Sequence, residues 1–359
     1  MPKKIAIIGT VGLPAKYGGF ETLTEYLTKH VGHRFNFTVY CSSKFYTKKI
    51  KKYHNAQLKH IPLNANGTQS IVYDILSIFN ALLFADILLI LGVSGCVSLP
   101  LVKLISTKKI IVNIDGIEWK RAKWGKFAKW FLKYSENLAV KYADVIISDN
   151  KVIQQYVQDT YAVKSELIAY GANHATKVKL TASAIANYPF LSEKYAFKVC
   201  RIEPENNIHV ILSAFSETKK IPIVIVGNWD NSNYGKNLKL HFSKFKNIYL
   251  LDPIYDQNIL NQIRSNCYIY VHGHSAGGTN PSLVEAMCLG LPIVAYAVHY
   301  NIETTKNKAL YFENKKELIN ILQLLKNDEL KLTANELNRV AKDNYTWEII
   351  SEKYAALFH

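Results

Sequence analysis

The sequence predicts an α/β protein with two Rossmann-like domains, each built on a parallel sheet. Short apolar runs alternate with helical patterns along the whole chain, as at residues 4–9, 110–114 and 267–271. Such runs are typical of strands that are buried on both faces of a sheet. The chain has 359 residues, which is enough for two separate cores. We place the domains at residues 1–180 and 190–340, followed by a helical segment at 341–359.

Composition and charge restrict the class of protein. Hydrophobic residues make up 49% of the chain and charged residues 20%, which indicates a globular protein without disordered segments. The five cysteines form no C-x-x-C pair, which argues against a zinc site or a disulfide framework and favours a reducing cytoplasm. The net charge of +16 implies a polyanionic partner, which could be nucleic acid, an anionic membrane or a phosphorylated substrate.

Neither the N-terminus nor the longest apolar stretch predicts a membrane segment. The two lysines before the first strand lead into an apolar run that is too short for a signal peptide. Residues 75–105 have the length of a membrane span, but Asn80, Asp86 and Pro100 interrupt them. We therefore expect a helix, a buried strand and a loop there, in a soluble protein.

The first strand is followed by a glycine-rich turn and by a helix from about Glu21 to His30. Such a turn is typical of a phosphate-binding loop. The dinucleotide fingerprint G-x-G-x-x-G is absent, and no acidic residue ends the next strand, so an NAD site is not expected. Glycines that only turn the chain are the alternative interpretation of Gly18 and Gly19.

Residues 44–59 are rich in lysine and aromatic residues. They should form a surface loop or short helix, either solvated or facing an acceptor.

Polar residues follow two further predicted strands of the N-terminal half, at 110–114 and 143–148. Ligands bind at the carboxyl ends of parallel strands, which makes the residues after these two strands candidates. These candidates are Asp115, Glu118, Lys120, Arg121 and Asp149. Asp149 could instead cap the helix that follows.

Residues 119–142 interleave aromatic and basic side chains, among them Trp124, Trp130, Lys120 and Lys123. This mixture on a helix favours a membrane interface, with aromatic rings at headgroup depth and lysines near anionic lipid. An amphipathic helix packed on its own domain is the competing interpretation. We favour membrane contact because so many aromatic residues are concentrated in this segment.

The segment with the clearest chemistry runs from His272 to Glu285, between a buried strand and a helix. Thr279 or Asn280 can cap that helix, and Pro281 suits its first position. Free backbone N–H groups and the helix dipole would then point at one spot that favours an anion. Glu285 can accept hydrogen bonds from a sugar diol beside it. The combination predicts a nucleotide-sugar site, although an ordinary turn with a surface glutamate has the same residue types.

This segment resembles the donor motif of retaining GT-B glycosyltransferases of family 4. The motif usually has two glutamates separated by seven residues, and Glu285 matches the second, which holds the nucleotide ribose in the family. Gly277 occupies the first position, so a donor-sugar contact from that carboxylate is not expected. The run GGTNPSLVEA is similar to a rhamnosyltransferase-like branch, which typically uses a deoxythymidine diphosphate (dTDP) sugar.

The resemblance covers both halves of the chain and implies the GT-B fold, with two Rossmann-like domains facing across a cleft. Arg201 matches one member of an Arg and Lys pair that holds the diphosphate, and Asn206 replaces the Lys. In the family, the loop that includes Tyr17 and Glu21 faces the donor phosphates and the acceptor. A His-Asp pair that often follows the strand at 110–114 is represented here by Asp115 alone.

Three expectations concern the remaining segments. Residues 175–193 are polar and should link the two domains, and a helix should start near Glu303. The tail at 347–358 has a helical pattern. The resemblance implies that this last helix crosses back onto the N-terminal domain.

The resemblance also implies a reaction, which is sugar transfer with retention by front-face attack. The leaving phosphate would accept the acceptor proton, so no protein nucleophile is required. No D-x-D motif occurs, so neither a metal ion nor a cofactor is expected, and positive charge with helix dipoles can stabilise the leaving group. We expect L-rhamnose transfer from a dTDP sugar to a saccharide acceptor, lipid-pyrophosphate-linked, in surface polysaccharide synthesis. Such a protein would be cytoplasmic and peripheral on the inner face of the plasma membrane.

The candidate residues fall into four groups. The catalytic or sugar-contacting candidates are Asp115, Asp149 and His272. The donor-binding candidates are Arg201, His274, Gly277, Gly278, Thr279, Asn280 and Glu285. The N-domain loop contributes Gly18, Gly19 and Glu21. The candidates for acceptor or membrane contact are Glu118, Lys120, Arg121 and Trp124.

Two other functions remain open. A nucleotide-sugar 2-epimerase with the same fold would share the donor site and would turn over donor without acceptor. A basic nucleic-acid-binding protein would explain the positive charge. The sequence contains no recognised nucleic-acid-binding module, however, and no nucleic acid is expected as a partner.

Overall fold

The computed structural model describes residues 2–16, 18–121 and 124–359. Tyr17 of the predicted N-domain loop and Lys123 of the basic aromatic stretch lie outside the described residues. The chain divides into two compact units, unit 1 with residues 1–171 and 347–359, and unit 2 with residues 172–346. The first division therefore falls at 171, where the sequence analysis placed it at 180, and the C-terminal segment of unit 1 begins at 347.

Unit 1 is an α/β domain with a mainly parallel sheet. Its strands are β1 (Lys4–Ile8), β2 (Asn36–Ser42), β3 (Lys52–Tyr53), β4 (Ala56–Ile61), β5 (Ile87–Leu91), β6 (Lys109–Asn113), β7 (Val145–Ser148) and β8 (Glu166–Leu167). Its helices before residue 171 are α1 (Gly19–Val31), α2 (Gln69–Leu82), α3 (Leu99–Ile105), α4 (Lys126–Tyr142) and α5 (Lys151–Tyr161). The strand order is β3-β4-β2-β1-β5-β6-β7-β8, and only the short pair β3–β4 is antiparallel among the described strands.

Unit 2 is a second α/β domain, in which the described strands all pair in parallel. Its strands are β9 (Ala196–Val199), β10 (Ile223–Val226), β11 (Ile248–Leu251), β12 (Ile269–His272), β13 (Ile293–Tyr296) and β14 (Leu310–Phe312), in the order β11-β10-β9-β12-β13-β14. Its helices are α6 (Ala182–Asn187), α7 (Ile208–Glu217), α8 (Asn233–Phe242), α9 (Gln257–Ser265), α10 (Pro281–Cys288), α11 (His299–Thr304), α12 (Lys315–Leu324) and α13 (Asn327–Asn344). The predicted fold class, two Rossmann-like parallel-sheet domains, is confirmed.

The last helix, α14 (Trp347–Leu357), completes the core of unit 1. Its apolar residues Trp347, Ile350 and Tyr354 are buried in the cluster that contains β1 and α1. The ring of Tyr26 on α1 stacks on Trp347 with the ring centroids 4.7 Å apart. The structure thus places this helix against the first unit.

The apolar stretch at 75–105 contains most of α2, then β5 and α3. The predicted helix and buried strand are therefore present, with a further helix after them. β5 is buried along its whole length, which explains its unbroken apolar sequence. Among the residues that the structure describes, no helix is both long and apolar enough to cross a membrane.

Three secondary-structure expectations were wrong. Residues 44–59 contain β3 and most of β4, and β4 extends the sheet beside β2 because Ala56 and Leu58 turn inward while Gln57 stays exposed. The helix expected to start near Glu303 instead ends at Thr304 as α11, since the left-handed residues after it cannot continue a helix. The predicted linker 175–193 contains α6 and packs on α9, where Gln262 accepts a hydrogen bond from the Thr181 amide at 2.9 Å.

Candidate functional site

The loop between β12 and α10 has the cap and turn that its sequence predicts. Asn280 is the cap residue, and its side-chain oxygen accepts hydrogen bonds from the Ser282 amide at 3.1 Å and hydroxyl at 2.8 Å. Pro281 occupies the first helical position. Gly277 has a φ of +98°, which residues with a side chain rarely adopt. The first amides of α10 therefore lie beside a turn that requires glycine.

The same loop is anchored to the short 3₁₀ turn that follows β9. The Ser275 amide and hydroxyl donate to the Glu205 carbonyl at 2.8 and 3.0 Å. Asn206 joins the two segments, because its amide nitrogen donates to the Arg201 carbonyl at 2.9 Å and its oxygen lies 3.2 Å from His274 Nδ1. Asn206, which replaces the family's Lys, thus brings the Arg201 segment and the donor-loop segment together. The Arg201 side chain is exposed at this edge of the sheet.

Glu285 is a partly buried carboxylate with two side-chain partners, rather than the surface glutamate of the alternative interpretation. Its Oε2 accepts from Arg264 at 2.6 Å, and its Oε1 lies 3.0 Å from His174 Nε2. Burial raises the pKa of Glu285, but the charge of Arg264 and the hydrogen bond and charge of His174 outweigh burial and hold the pKa below its ordinary value. The carboxylate is therefore charged at neutral pH and fixed in orientation.

Sequence reasoning missed both partners of Glu285. Arg264 lies near the end of α9, and a basic residue there is common because it complements the helix dipole. Its Nε also donates to Asn261 at 2.7 Å, so the guanidinium is held from two sides. His174 is 111 positions away from Glu285 in the sequence, and no local pattern marks it.

His272, a predicted catalytic residue, is buried at the end of β12. Its two ring nitrogens have no hydrogen-bond partner among the described residues. Burial, followed by the nearby charges of Lys198 and His274, lowers the pKa of His272 well below its ordinary value. The ring packs against Tyr270, whose hydroxyl donates to Ser282 at 2.9 Å. A neutral imidazole there can give or accept one hydrogen bond without becoming charged.

The predicted N-domain loop is held by the glutamate that follows it. Glu21 Oε1 accepts a hydrogen bond from the Val11 amide at 2.7 Å, and the side chain is buried. Gly18 has a φ of +111°, and a Cβ at that position would lie 2.0 Å from Glu21 Oε2. Gly19 begins α1. Glu21 therefore braces its own loop, whatever else that loop contacts.

Asp115 and Asp149 follow the neighbouring parallel strands β6 and β7 at the carboxyl edge of the unit 1 sheet. Burial raises the pKa of Tyr170 well above its ordinary value, and the charges of Asp115, Asp149 and Glu21 raise it further. Asp115 lies in the left-handed region, with φ of +60°, and its amide donates to Asn113 at 2.9 Å. The carboxyl edge of the unit 1 sheet thus concentrates the acidic side chains that the sequence analysis selected. The cap of α5 is the neighbouring Asn150, not Asp149.

The candidates between β6 and α4 bind mainly to one another. Arg121 and Glu118 form an ion pair at 2.8 Å, and Trp124 donates to the same carboxylate at 3.0 Å. The Lys120 ammonium lies 5.5 Å from the ring centroid of Trp119. These contacts stabilise the turn before α4.

Comparisons with known proteins agree with this geometry. The family model described as glycosyl transferases group 1 matches residues 185–346, which include the loop and Glu285. The C-terminal part of the chain is thus similar to group 1 glycosyltransferases. A second model, described as a domain of unknown function (DUF1972), matches residues 2–173.

Similar proteins match the chain over nearly its whole length. An uncharacterised glycosyltransferase from Methanocaldococcus jannaschii is 23% identical over 385 aligned positions, which cover 95% of this chain and 94% of the relative. Sucrose-phosphate synthase from Thermosynechococcus elongatus has a TM-score of 0.85 at 14% identity, covering 99% of this chain and 98% of that one. Anabaena HepE in complex with UDP-glucose has a TM-score of 0.75 at 15% identity and covers 99% of both chains. The two structures establish the fold, and together the comparisons support glycosyltransferase activity.

Proposed function

We propose that the protein transfers a hexose with retention from a nucleoside diphosphate sugar to a saccharide acceptor. We further propose that the sugar is L-rhamnose from a dTDP sugar, that the acceptor is lipid-pyrophosphate-linked, and that the product enters a surface polysaccharide. The observation that carries the proposal is the charged carboxylate of Glu285, fixed by Arg264 and His174 in the helix that follows a glycine-dependent turn.

The donor would be held by three kinds of contact. Each carboxylate oxygen of Glu285 has a second acceptor site beyond its bond to Arg264 or His174, and a ribose diol can donate to both. The amides of residues 277–279, at the positive end of the α10 dipole, suit the diphosphate. Arg201 would add a charge-assisted contact to the same group. The UDP-glucose complex of the structural neighbour HepE supports a nucleotide sugar as the donor class.

The acceptor side of the reaction would use the carboxyl edge of unit 1. Asp115 and Asp149 would orient an acceptor hydroxyl, and the loop with Gly18 and Gly19 would approach the donor phosphates. His272 and His274 would contact the donor sugar. In unit 2, a neutral His272 suits that role because it can hydrogen-bond a hydroxyl without attracting the diphosphate.

The chemical step would need no protein nucleophile. The bond between the anomeric carbon and the leaving phosphate oxygen breaks, and the acceptor oxygen bonds to the same face of that carbon. The acceptor proton passes to the leaving phosphate. The α10 dipole and Arg201 would stabilise the charge that develops there, so we propose that no metal ion takes part.

Product analysis tests the proposal. The protein is incubated with dTDP-, UDP- and GDP-sugars, a lipid-pyrophosphate saccharide acceptor and, in parallel, a chelator. We expect transfer with retained anomeric configuration, best with dTDP-L-rhamnose and unaffected by the chelator. Inverted product, or a donor requirement for divalent metal, would contradict the mechanism. Conversion of the donor to its 2-epimer without acceptor would show that the protein is an epimerase and not a transferase.

The sequence also predicts peripheral contact with an anionic membrane through residues 119–142, and we propose that this contact brings the enzyme to its lipid-linked acceptor. The aromatic residues of α4 support it, since Trp130 and Tyr134 are exposed and stacked, with ring centroids 5.7 Å apart. The protein would then work at the cytoplasmic face of the plasma membrane.

A further inference from the structure

Three helices lie side by side on one face of the unit 1 sheet. The connections from β4 to β5, β5 to β6 and β6 to β7 all run in the same direction across the sheet. Because such crossovers are right-handed, α2, α3 and α4 lie on the same face. The connection from β1 to β2 runs in the opposite direction, which places α1 on the other face, where it packs with α14.

The two helices α2 and α3 each have a second apolar side that faces away from the sheet. Val72, Leu76 and Leu83 recur at helical spacing along α2 and directly after it, and all three are exposed. Leu104 and Ile105 are exposed at the end of α3. A surface helix of a globular protein normally carries polar residues on its outer side, so this pattern requires a separate explanation.

Each of these helices lies next to another of them. The ends of α2 and α3 line one shallow concavity, to which Phe79, Leu82, Leu83, Leu104 and Ile105 contribute. Helix α3 in turn packs against α4. On α4, Phe127 and Trp130 lie with their ring centroids 5.8 Å apart, and Trp130 stacks on Tyr134. We call the outer sides of α2, α3 and α4 the three-helix face.

The exposed charges of these helices are mainly positive. The acidic residues of these three fully described helices are Asp74 and Glu136, and both are buried. Glu136 accepts hydrogen bonds from two tyrosine hydroxyls at 2.6 Å, so its carboxylate interacts within unit 1 and does not face solvent. Lys126 and Lys133 of α4 are exposed. The three-helix face therefore presents apolar side chains and an excess of cations, and the half-exposed Asp144 directly after α4 pairs with Lys103 of α3 at 2.7 Å.

We propose that the three-helix face binds the surface of an anionic lipid bilayer, with Leu83, Leu104 and Ile105 entering the acyl boundary. The lysines of α4 would lie at the phosphate level and the aromatic rings between the two. A second copy of this chain is a poorer occupant, because it would bring lysines against lysines. Membrane contact was predicted for residues 119–142, and the exposed apolar residues of α2 and α3 extend the proposed contact surface. The inference deepens the proposed function, on which it rests for the presence of a lipid surface.

Two matched double variants of the full chain test this surface. Leu83→Glu with Leu104→Glu changes two side chains of the face that are each 82% exposed. Leu240→Glu with Leu332→Glu makes the same change of charge at exposed positions of unit 2, where Leu240 is 81% exposed. All four positions are solvent-exposed, so neither pair should unfold the protein, and thermal melting checks this. Gln replaces Glu if the first variant melts early.

Co-sedimentation with vesicles gives the readout. We expect the wild type and the unit 2 variant to bind vesicles that contain phosphatidylglycerol, and the Leu83 and Leu104 variant to bind at least about tenfold more weakly, since two leucines no longer enter the lipid. Lys126→Glu with Lys133→Glu should weaken binding to these vesicles but not to phosphatidylcholine alone. Equal binding by the two leucine variants, or no vesicle binding by the wild type, would overturn the inference. So would a wild-type dimer that the Leu83 and Leu104 variant turns into a monomer.

Transfer to a short, water-soluble acceptor separates this inference from the proposed function. The Leu83 and Leu104 variant should retain wild-type transfer to that acceptor, because its donor site is unchanged, and lose transfer to an acceptor embedded in vesicles. If the wild type binds vesicles but transfers no sugar to either acceptor, the proposed function fails while the lipid-binding face stands.

Discussion

Two glutamates whose carboxylates are fixed by hydrogen bonds, one in each unit, show how the same residue type can serve two purposes. Glu21 lies in the first turn of α1 and Glu285 in the second turn of α10, each after a glycine-containing loop that follows a strand. Glu21 accepts from the backbone amide of Val11, so its carboxylate closes its own loop. Glu285 is bonded by the side chains of Arg264 and His174, which fix it without involving the loop backbone. We propose that the carboxylate held by side chains from elsewhere binds a ligand, whereas the one held by its own loop maintains the fold.

The largest effect should come from Glu285→Ala. Loss of the ribose contact should weaken nucleoside diphosphate sugar binding by about 100-fold, or roughly 2.7 kcal/mol, in calorimetric titration. Glu217→Ala removes an exposed carboxylate of the same unit, paired with Lys315, and should leave binding unchanged. If Glu285→Ala and Glu217→Ala bind the donor equally well, Glu285 is structural like Glu21.

Removal of Arg264 should make donor binding pH-dependent. In the wild type, burial raises the pKa of Glu285 but Arg264 and His174 lower it more, so the carboxylate loses its charge only at acidic pH. Arg264→Met removes the largest contribution that lowers this pKa, so the carboxylate should take up a proton at a higher pH than in the wild type, with about tenfold loss of donor affinity once it does.

The matched control for Arg264→Met is Arg339→Met, which removes the same charge from an exposed position of α13. Its donor affinity should follow the wild type at every pH. A pH profile of Arg264→Met that coincides with that of Arg339→Met would show that the guanidinium does not control Glu285.

Glu21→Gln and Glu21→Ala test whether Glu21 stabilises the fold rather than binding the donor. Alanine leaves the buried Val11 amide without a partner, which should lower the free energy of unfolding by about 1–3 kcal/mol in urea titration. Glutamine can still accept this hydrogen bond, so Glu21→Gln should lower the free energy of unfolding less than Glu21→Ala. Donor affinity of folded Glu21→Ala should stay within a few-fold of the wild type, and a loss as large as that of Glu285→Ala would remove the distinction between the two residues.

The smallest effect is expected from Gly277→Ala, which tests whether backbone conformation, rather than the space for a side chain, requires glycine at this position. Its φ of +98° disfavours alanine, although an added Cβ would meet only His274 Nε2 at 3.7 Å. Gly277→Ala should therefore cost about 1 kcal/mol of stability and weaken the donor diphosphate contact. Gly67 also has a positive φ, of +73°, with open space around it. Gly67→Ala should cost similar stability with unchanged donor affinity, and an identical donor response would argue against a diphosphate at the loop.

Features that depend on neighbouring residues could be predicted from the sequence. The cap at Asn280, the proline after it and the positive φ of Gly277 all follow from local turn and helix chemistry. The alternation of sheet strands with helices followed in the same way from the apolar runs. These signals are local because each arises within a few residues of the chain.

Features that depend on tertiary contacts could not be predicted. His174 and Glu285 meet across 111 positions, and neither residue carries a local sign of the other. The strand β4 could not be recognised in its lysine-rich segment, because strands near the edge of a sheet keep polar and charged residues at their exposed positions. The lipid-facing role proposed for α2 and α3 was equally hidden, since apolar residues on both sides of a helix give no periodic contrast.

The closing helix of unit 1 has a consequence for how the chain is made. Residues 172–346 separate the body of unit 1 from α14, whose Trp347 and Tyr354 fill its core. During synthesis, unit 2 can therefore acquire all of its residues before unit 1 acquires its last helix. We expect the N-terminal half to wait on the ribosome with an uncovered apolar surface, which makes it the part of the nascent protein most dependent on chaperones.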